Sequence, residues 1–463
     1  MRKDSGVDGD AQRISQLGWM LFLKVFDDYE AEKEIINASY VSPIPEQYRW
    51  RNWAADEEGI TGEALLEFVS EMFNELKDLE LTETSPKIAF IVKAVFESSY
   101  NYMKSGTLFR QVANKLNEIN FNRKDDRHHF NDLYEKILKD LQSAGNAGEY
   151  YTPRAVTKFM TQMVNPQLGE TVLDPACGTG GFLVDAIEHM KEQAKSVEDY
   201  EIFQTTVQGV EKKPLPHLLC VTNLILHGIE VPNVKHDNTL NRPLNEYKKK
   251  DQVDVILTNP PFGGTEEDGI EKNFPARFQT RETADLFLVL LLRRLKEGGR
   301  AALVLPDGFL FGEGVKTRIK EMLLKENNLH TIVRLPKGVF NPYTGINTNL
   351  LFFEKGGSTK EVWYYEHVYP EGYKSYSKTK PIRLEEFDAE KEWWNNREVT
   401  DRAWKVSFEE IEKRTYNLDI KNPNGIESMS YNVEELLEKK TEVKNDIEQL
   451  KSNILDELKE TLV

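Results

Sequence analysis

The sequence predicts an α/β protein with a helical N-terminal domain, a mostly parallel sheet and a C-terminal amphipathic helix. Apolar residues recur at helical spacing over residues 12–122. From about residue 145, short apolar runs alternate with helical segments, which is typical of a parallel sheet covered on both faces. The last 32 residues or so are rich in charge, with one apolar seam. We predict domains at residues 1–124, 125–422 and 423–463.

The first domain is predicted to be helical because its apolar residues fall three or four positions apart. Ile14, Leu17, Leu21 and Val25 show this spacing, and residues 65–73 repeat it. The stretch 40–53 contains two prolines and scattered aromatic residues. We therefore predict an extended connector there.

The second domain is predicted to be a Rossmann-like core. Its strands are predicted at 171–174, 207–211, 253–257, 301–305, 331–335 and 349–353, with helices at 181–194, 216–227 and 284–296. In open sheets of this kind, ligands bind at the carboxyl ends of the strands, near the point where the strand order reverses. We therefore look for functional residues just after the predicted strands.

The tail is predicted to form a helix from about residue 432. Val443, Ile447, Leu450, Ile454 and Leu458 recur in steps of three or four and give one apolar stripe. Two interpretations remain open: the stripe packs on its own domain, or it pairs with a partner subunit.

Composition limits the possible functions. The 463 residues carry a formal net charge of −17, whereas a protein that grips duplex DNA alone is expected to have a basic surface. Either the partner is not nucleic acid, or another subunit supplies most of the grip. Only two cysteines occur, Cys177 and Cys220. With no apolar run near ~20 residues and no secretory signal, this favours a reducing cytoplasm.

The strongest local motif is Asp-Pro-Ala-Cys-Gly-Thr-Gly-Gly-Phe-Leu at 174–183, which follows a strand and begins a helix. Its glycines allow a sharp turn and close approach of a ligand. A dinucleotide motif is excluded by Leu183, and no Gly-Lys-Ser/Thr of a P-loop follows. Asp174 is placed to hold the cationic methionyl amine of S-adenosylmethionine. The predicted contacts within the turn are Ala176, Gly178, Thr179 and Gly180.

Three further segments are predicted to complete the cofactor site. Glu211 ends the next strand, where an acid can accept hydrogen bonds from both ribose hydroxyls. Asp237 and Asn238 offer a carboxylate and an amide to the adenine, although a plain polar turn explains them equally well. An upstream segment is predicted to close over the methionine end, with a tight turn as the alternative: Glu149, Tyr150, Tyr151, Thr152, Pro153 and Arg154.

The catalytic candidate is Asn259-Pro260-Pro261-Phe262, directly after a strand. Two prolines stop the strand and make the tetrapeptide rigid. An exocyclic base amine is a poor nucleophile because its lone pair is delocalised into the ring. If the Asn259 side-chain oxygen and the Pro260 carbonyl accept its hydrogens, the lone pair is freed for attack on a sulfonium methyl. Phe262 can stack on a base flipped from the duplex.

The order of these motifs resembles the modification subunits of type I restriction–modification systems, which are N6-adenine DNA methyltransferases. The resemblance covers nearly the whole chain, and its motifs lie at 7–13, 21–28, 150–154, 174–183, 259–262 and 343–349. It implies a methyltransferase core that uses S-adenosylmethionine. Members of the family often have Gln where Glu149 stands, so the role of that side chain stays open.

The resemblance also implies partners. A separate specificity subunit reads the DNA, a second modification subunit helps to clamp it, and a restriction (translocase) subunit joins the full complex. An acidic catalytic subunit is compatible with this arrangement. Lys272, Arg277 and Arg281 follow the tetrapeptide in a glycine-containing loop and are candidates for phosphate contacts, although a solvated loop explains any one of them equally well. We expect this loop to be mobile without DNA.

Two other functions remain as alternatives. An N-methyltransferase acting on a protein amide would use the same catalytic geometry, and a catalytically silent assembly subunit could keep the fold. A C5-cytosine enzyme needs a Pro-Cys nucleophile, but Cys177 follows Ala and Cys220 follows Leu. The sequence contains no Walker motif and no cluster of metal ligands, since the adjacent pair His128 and His129 stands alone.

Overall fold

A computed structural model describes residues 1–121, 134, 151–341, 344–377 and 379–424, with positions 440, 444, 450 and 451. The predicted domain boundary at 124 lies outside these residues, as do Glu149, Tyr150 and most of the predicted C-terminal helix. Of its apolar stripe, only Leu450 is described: it is helical and 60% exposed. The three-domain division stays a prediction.

Residues 1–121 are helical, as their spacing predicts. The helices are α1 (Gly9–Ile36), α2 (Trp50–Trp53), α3 (Gly62–Lys77), α4 (Lys87–Glu97) and α5 (Gly106–Asn117). Trp19 of α1 lies at the centre of their core, with its ring perpendicular to that of Phe73 at 5.0 Å. The extended connector predicted over 40–53 is wrong in its second half, which holds α2 and a 3-10 helix at Glu46–Tyr48. Trp50 and Trp53 are buried there, and burial of aromatic rings outweighs the local preference of the prolines.

Within the described residues, nine strands form one sheet. They are β1 (Val172–Asp174), β2 (Val207–Glu211), β3 (Val234–His236), β4 (Val253–Thr258), β5 (Leu295–Pro306), β6 (Asn327–Arg334), β7 (Thr348–Lys355), β8 (Glu361–Glu366) and β9 (Ala403–Ser407). One helix, α6 (Arg154–Val164), precedes β1. The helices between and after the strands are α7 (Gly181–Lys191), α8 (Val197–Phe203), α9 (Pro214–Leu226), α10 (Thr283–Arg294), α11 (Asp307–Phe311), α12 (Val315–Glu326), α13 (Asp388–Asn395) and α14 (Phe408–Lys413).

The strand order is β3-β2-β1-β4-β5-β7-β6-β8-β9. Strands β3 to β5 are parallel, β7 is inserted antiparallel between β5 and β6, and β9 is antiparallel to β8. The chain reverses its direction of winding between β1 and β4, which are direct neighbours. This confirms the Rossmann-like core and places the switch point at those two strands.

Apolar side chains cover both faces of the sheet. Val172 and Val255 belong to one buried cluster, while Leu173 and Ile256 belong to the other, as expected for central parallel strands. The N-terminal helices join the first cluster through α1, which lies against α9 so closely that a Cβ at Gly18 would stand 3.1 Å from Leu218. None of the described helices has the length and apolar content to span a bilayer.

Candidate active site

Asp174 ties together the ends of the two switch-point strands. It closes β1, is 1% exposed, and its Oδ1 accepts hydrogen bonds from the Thr258 hydroxyl at 2.7 Å and the Ala176 amide at 3.0 Å. Thr258 is the last residue of β4, so the Asn259–Phe262 tetrapeptide begins one residue beyond this bond. The glycine turn and the tetrapeptide therefore lie side by side, as the motif order predicts.

The environment of Asp174 favours the neutral form of its carboxyl group. Burial raises the pKa of this carboxyl to about 7, and the nearby charge of Glu211 acts in the same direction. The hydrogen bonds from Thr258 and Ala176 lower the pKa but do not offset burial. A carboxyl of this kind becomes charged readily when a positive group arrives beside it.

The glycine turn needs glycines for two separate reasons. Gly178 and Gly180 have φ values of 52° and 86°, in the left-handed region where a side chain is strained. A Cβ at Gly180 would also stand 2.8 Å from the Cys220 Sγ. The turn is then fixed to the next strand, since the Gly178 amide donates to Glu211 Oε2 at 2.9 Å.

Glu211 ends β2 and is buried. Its Oε1 accepts the Lys213 amide at 2.7 Å and its Oε2 accepts the Gly178 amide. Each carboxylate oxygen has two acceptor sites, so an oxygen that accepts one amide is not saturated by that bond. The backbone bonds hold the carboxylate in one orientation at the cavity.

Asp237 and Asn238 follow β3, and their side chains differ in how far their hydrogen-bonding groups are already engaged. The Asn238 side chain bonds at both ends, with its Nδ2 donating to Glu266 Oε2 at 2.9 Å and its Oδ1 accepting the Leu240 amide at 3.0 Å. Asp237 is exposed, and its Oδ1 accepts the Asn238 amide at 2.7 Å. Of the two, Asp237 is the better placed to accept a hydrogen from an adenine amine.

The Asn259 side chain is held at its nitrogen end. Its Nδ2 donates to the Thr152 hydroxyl at 3.0 Å, which fixes the plane of the amide. Its Oδ1 is buried and has no hydrogen-bond partner among the described residues. An unpaired buried oxygen is costly, and its cost disappears when an amine binds there. Phe262, next in the rigid tip, meets the ring of Phe340 at 5.9 Å and near a right angle.

These groups line one cavity of about 340 Å³, within the range of small-molecule sites, ~300–1,000 Å³. Eleven predicted residues line it: Tyr151, Thr152, Asp174, Ala176, Gly178, Thr179, Glu211, Asp237, Asn238, Asn259 and Pro261. Five others do not: Pro153, Arg154, Gly180, Pro260 and Phe262. Arg154 instead donates to the Gly181 carbonyl at 2.7 Å and holds the start of α7.

Several lining residues were not predicted from the sequence: Lys212, Lys213, Thr239, Gly264, Thr265, Glu266, Thr283 and Phe287. Two of these had a usable signal. Lys212 and Lys213 directly follow Glu211, where the chain turns into a helix. No sequence signal pointed to Glu266 or Thr283, because only the tertiary fold of the chain brings these two residues back to the cavity.

The fold and cavity together define the class of protein. A Rossmann-like sheet carries, at one switch point, a glycine turn, an acid on the second strand and a rigid Asn-Pro-Pro-Phe tip. This combination defines a methyltransferase that modifies amino nitrogens.

Comparison with known proteins identifies the family. A sequence model described as N-6 DNA Methylase matches residues 125–431, and one described as HsdM N-terminal domain matches residues 1–116. The chain therefore belongs to the N-6 DNA methylase family, among the modification subunits of type I restriction enzymes, and is an adenine-specific DNA methyltransferase.

Individual relatives agree. The chain is 60% identical to the type I restriction enzyme EcoEI methylase subunit of Escherichia coli, over 98% of this chain and 95% of that protein. The crystal structure of a modification subunit of a putative type I restriction enzyme from Vibrio vulnificus YJ016 is 47% identical, with a TM-score of 0.83 over 93% of this chain and 96% of that one. A structure from a study of complex assembly in the type I R-M system is 38% identical, with a TM-score of 0.83 over 98% and 96%.

Proposed function

We propose that the cavity binds S-adenosylmethionine and that Asn259, Pro260 and Phe262 act on the N6 amine of an adenine flipped from duplex DNA. The observation that carries this assignment is the unpartnered Oδ1 of Asn259 beside the glycine turn. The cofactor supplies an activated methyl group when bound.

The chain's residues fit such a cofactor in an order set by the sheet. Asp174 on β1 would hold the methionyl amine, Glu211 on β2 the ribose, and Asp237 after β3 the adenine. Neighbouring strands lie ~4.8 Å apart, so these groups span the length of a nucleoside with an amino-acid tail. The tail end then lies next to β4 and Asn259.

Catalysis follows from what these residues hold in place. Asn259 Oδ1 accepts one hydrogen of the adenine amine, and the Pro260 carbonyl accepts the other. The Thr152 bond keeps the amide from turning its Nδ2 towards the amine. Phe262 stacks on the base and orients the nitrogen. The nitrogen lone pair is thereby aimed at the methyl group, and the chain forms no covalent bond to the substrate.

The proposal extends to assembly. Residues 1–124 form the helical domain, 125–422 the catalytic domain, and 423–463 a tail that packs on a specificity subunit. That subunit would provide the base-reading surface that a chain of net charge −17 lacks. A second copy of this chain and a restriction subunit complete the complex, which would act in the cytoplasm, where both free cysteines stay reduced.

The test is a methyl-transfer assay on the chain copurified with its specificity subunit. Asn259→Ala is expected to lower transfer to DNA on the order of 10²–10³-fold, as loss of one preorganised polar contact does. Its Kd for S-adenosylmethionine should stay within about twofold, because the adenosine contacts remain. Asn395→Ala, at an exposed position at the end of α13, is the matched control.

Four outcomes would contradict the proposal. Full activity of Asn259→Ala would remove its catalytic role, and loss of cofactor binding in that variant would make it a cofactor residue instead. Methyl transfer to protein amides in place of DNA, or to neither, would favour the two alternatives drawn from the sequence.

A further inference from the structure

Glu266 is a buried acid whose surroundings the proposed chemistry does not use. It is 8% exposed and lines the cavity, and a buried carboxylate requires partners. Three side chains provide them. Its Oε2 accepts Asn238 Nδ2 at 2.9 Å and lies 3.4 Å from Lys212 Nζ, while its Oε1 accepts the Thr283 hydroxyl at 3.2 Å.

The path of the chain makes the Asn238 contact significant. Glu266 lies seven residues after Asn259, which follows β4, yet it bonds a residue that follows β3. In the order β3-β2-β1-β4 these ends are three strand spacings apart, roughly 14 Å. The chain therefore leaves the Asn259–Phe262 tetrapeptide and runs along the edge of the cavity to the end where the adenine of the cofactor is proposed to bind.

The backbone of Glu266 also belongs to the neck of a loop. Its amide donates to the Arg281 carbonyl at 2.9 Å, and the Thr283 amide donates to the Gly264 carbonyl at 3.0 Å. Residues 264–266 thus pair with 281–283, and the loop between them is closed at its base. We call residues 267–280 the tip of this loop. Lys272 lies in it and is exposed.

Two buried aromatic rings within residues 267–280 anchor the tip of the loop on the catalytic domain. Phe274 and Phe278 are 4% and 3% exposed, although the sequence shows little apolar content here. The tip consequently has a defined seat on the catalytic domain. Hydrogen bonds add to these contacts, since Asn273 Nδ2 donates to the Leu240 carbonyl at 2.9 Å and Arg318 Nε donates to the Arg277 carbonyl at 2.7 Å.

We propose that Glu266 is a positioning residue that couples the cofactor cavity to this loop. It orients the Asn238 carboxamide, whose Nδ2 has a second hydrogen to donate to an adenosine group, and it clamps the neck at the same time. An adenosine group in the cavity therefore stabilises the closed loop. The inference rests on the proposed assignment of the cavity to S-adenosylmethionine. The loop follows the catalytic tip, so its closure would position basic side chains for DNA only when cofactor is present.

The chain offers a matched control. Glu267 is the next residue and contacts the same lysine, with its Oε1 3.4 Å from Lys212 Nζ, but its side chain is 82% exposed. Glu267→Ala removes one negative charge, as Glu266→Ala does, from the adjacent position in the sequence. It touches neither Asn238 nor the neck.

The conservative variant Glu266→Gln separates hydrogen bonding from charge. Its side-chain oxygen can accept from Asn238, and its amide nitrogen can donate to the Thr283 hydroxyl oxygen, which can then turn its own hydrogen to the Gly264 carbonyl 3.0 Å away. Glu266→Gln is therefore expected to behave like the native protein. Glu266→Ala loses both bonds.

Binding of S-adenosylhomocysteine to the full chain, measured by calorimetry, is the first readout. Glu266→Ala should raise Kd about tenfold, while Glu266→Gln and Glu267→Ala stay within about twofold. Limited trypsin digestion is the second readout, because Lys272 and Arg277 in the tip are cleavage sites. S-adenosylhomocysteine should slow their cleavage severalfold in the native chain and in Glu266→Gln, but not in Glu266→Ala.

The outcomes separate this inference from the proposed function. If the native chain does not bind S-adenosylhomocysteine, the cavity assignment itself fails. If it binds, and Glu266→Ala binds and is protected equally well, the coupling is refuted. Loss in Glu266→Gln or Glu267→Ala equal to that in Glu266→Ala would also refute it, because charge alone would then explain the effect. Should Glu266→Ala not fold, Thr283→Val removes one neck contact and is expected to weaken both readouts about threefold.

Discussion

Replacing Asp174 by asparagine removes a titratable charge from the floor of the cavity and leaves the shape of the side chain nearly unchanged. The asparagine oxygen can still accept the bonds from Thr258 and the Ala176 amide. The substitution therefore tests charge alone. We expect it to stabilise the protein without ligand and to weaken cofactor binding.

The size of the stability effect follows from the pKa. Burial raises the pKa of Asp174 to about 7, whereas an unfolded aspartate titrates near 3.9. Between these values the folded chain binds a proton that the unfolded chain has released, so stability falls as pH rises from about 4 to 7. A difference of ~3 units corresponds to about 4 kcal/mol above pH 7 as an order of magnitude.

Asp174→Asn lacks this penalty. Its free energy of unfolding should exceed that of the native chain by up to about 4 kcal/mol at pH 8, and the two should converge near pH 4. Urea unfolding at a series of pH values measures the difference. A gain in stability on removing a functional charge is the expected signature of a site whose groups are held for binding and not for folding.

Cofactor binding should respond in the opposite direction. The cationic amine needs the charged carboxylate, so native affinity should rise with pH up to about 7 and then level off. Below pH 7, binding should release a proton, which calorimetry in buffers of different ionisation enthalpy detects. Asp174→Asn should bind at least about thirtyfold more weakly, equivalent to ~2 kcal/mol for a buried charge that loses its partner, with no pH dependence in this range.

Either of two results would refute this reasoning. Native affinity in Asp174→Asn would mean that Asp174 does not face the cation. Lower stability of Asp174→Asn at pH 8 would mean that the charged carboxylate is well satisfied in the empty protein, contrary to its burial.

Other substitutions test separate parts of the site. Gly180→Val should abolish cofactor binding, because its Cβ would clash with Cys220 Sγ. The control Gly298→Val, also at positive φ but with nothing within 4 Å of a Cβ, should bind the cofactor normally. Equal cofactor binding by the two variants would contradict the role of the glycine turn. Phe262→Ala should lower the fluorescence signal of a flipped 2-aminopurine at the target and raise the free-energy barrier of methyl transfer by roughly 1–3 kcal/mol. Phe262→Trp should retain the fluorescence signal and the transfer rate. If Phe262→Ala differs from the native chain in neither, stacking is excluded. Lys272→Ala in the complex should reduce the salt dependence of DNA binding by about one phosphate contact, and an unchanged slope would place this residue away from the DNA.

The sequence located the central strands well and the sheet edges poorly. Strands β1, β2, β4 and β5 fall on predicted apolar runs, because central parallel strands are buried on both faces. Strand β3 has one buried residue in three, too weak a pattern to predict, and β8 and β9 were also missed. β5 begins at Leu295, inside the predicted end of a helix, because its first residues are held by pairing with β4 and not by local preference.

The same division applies to the site. The sequence alone determined the chemistry, since strand-end motifs in the order glycine turn, acid and Asn-Pro-Pro-Phe must meet at one sheet edge when the strands are parallel. Only the tertiary structure decided which atoms are free. Within the part of the chain that the structure describes, Asn259 Oδ1 has no partner, both ends of the Asn238 side chain are bonded, and Glu266 lies across the cavity from Asn259. Those outcomes depend on contacts between residues far apart in the chain, and local spacing carries no information about such contacts.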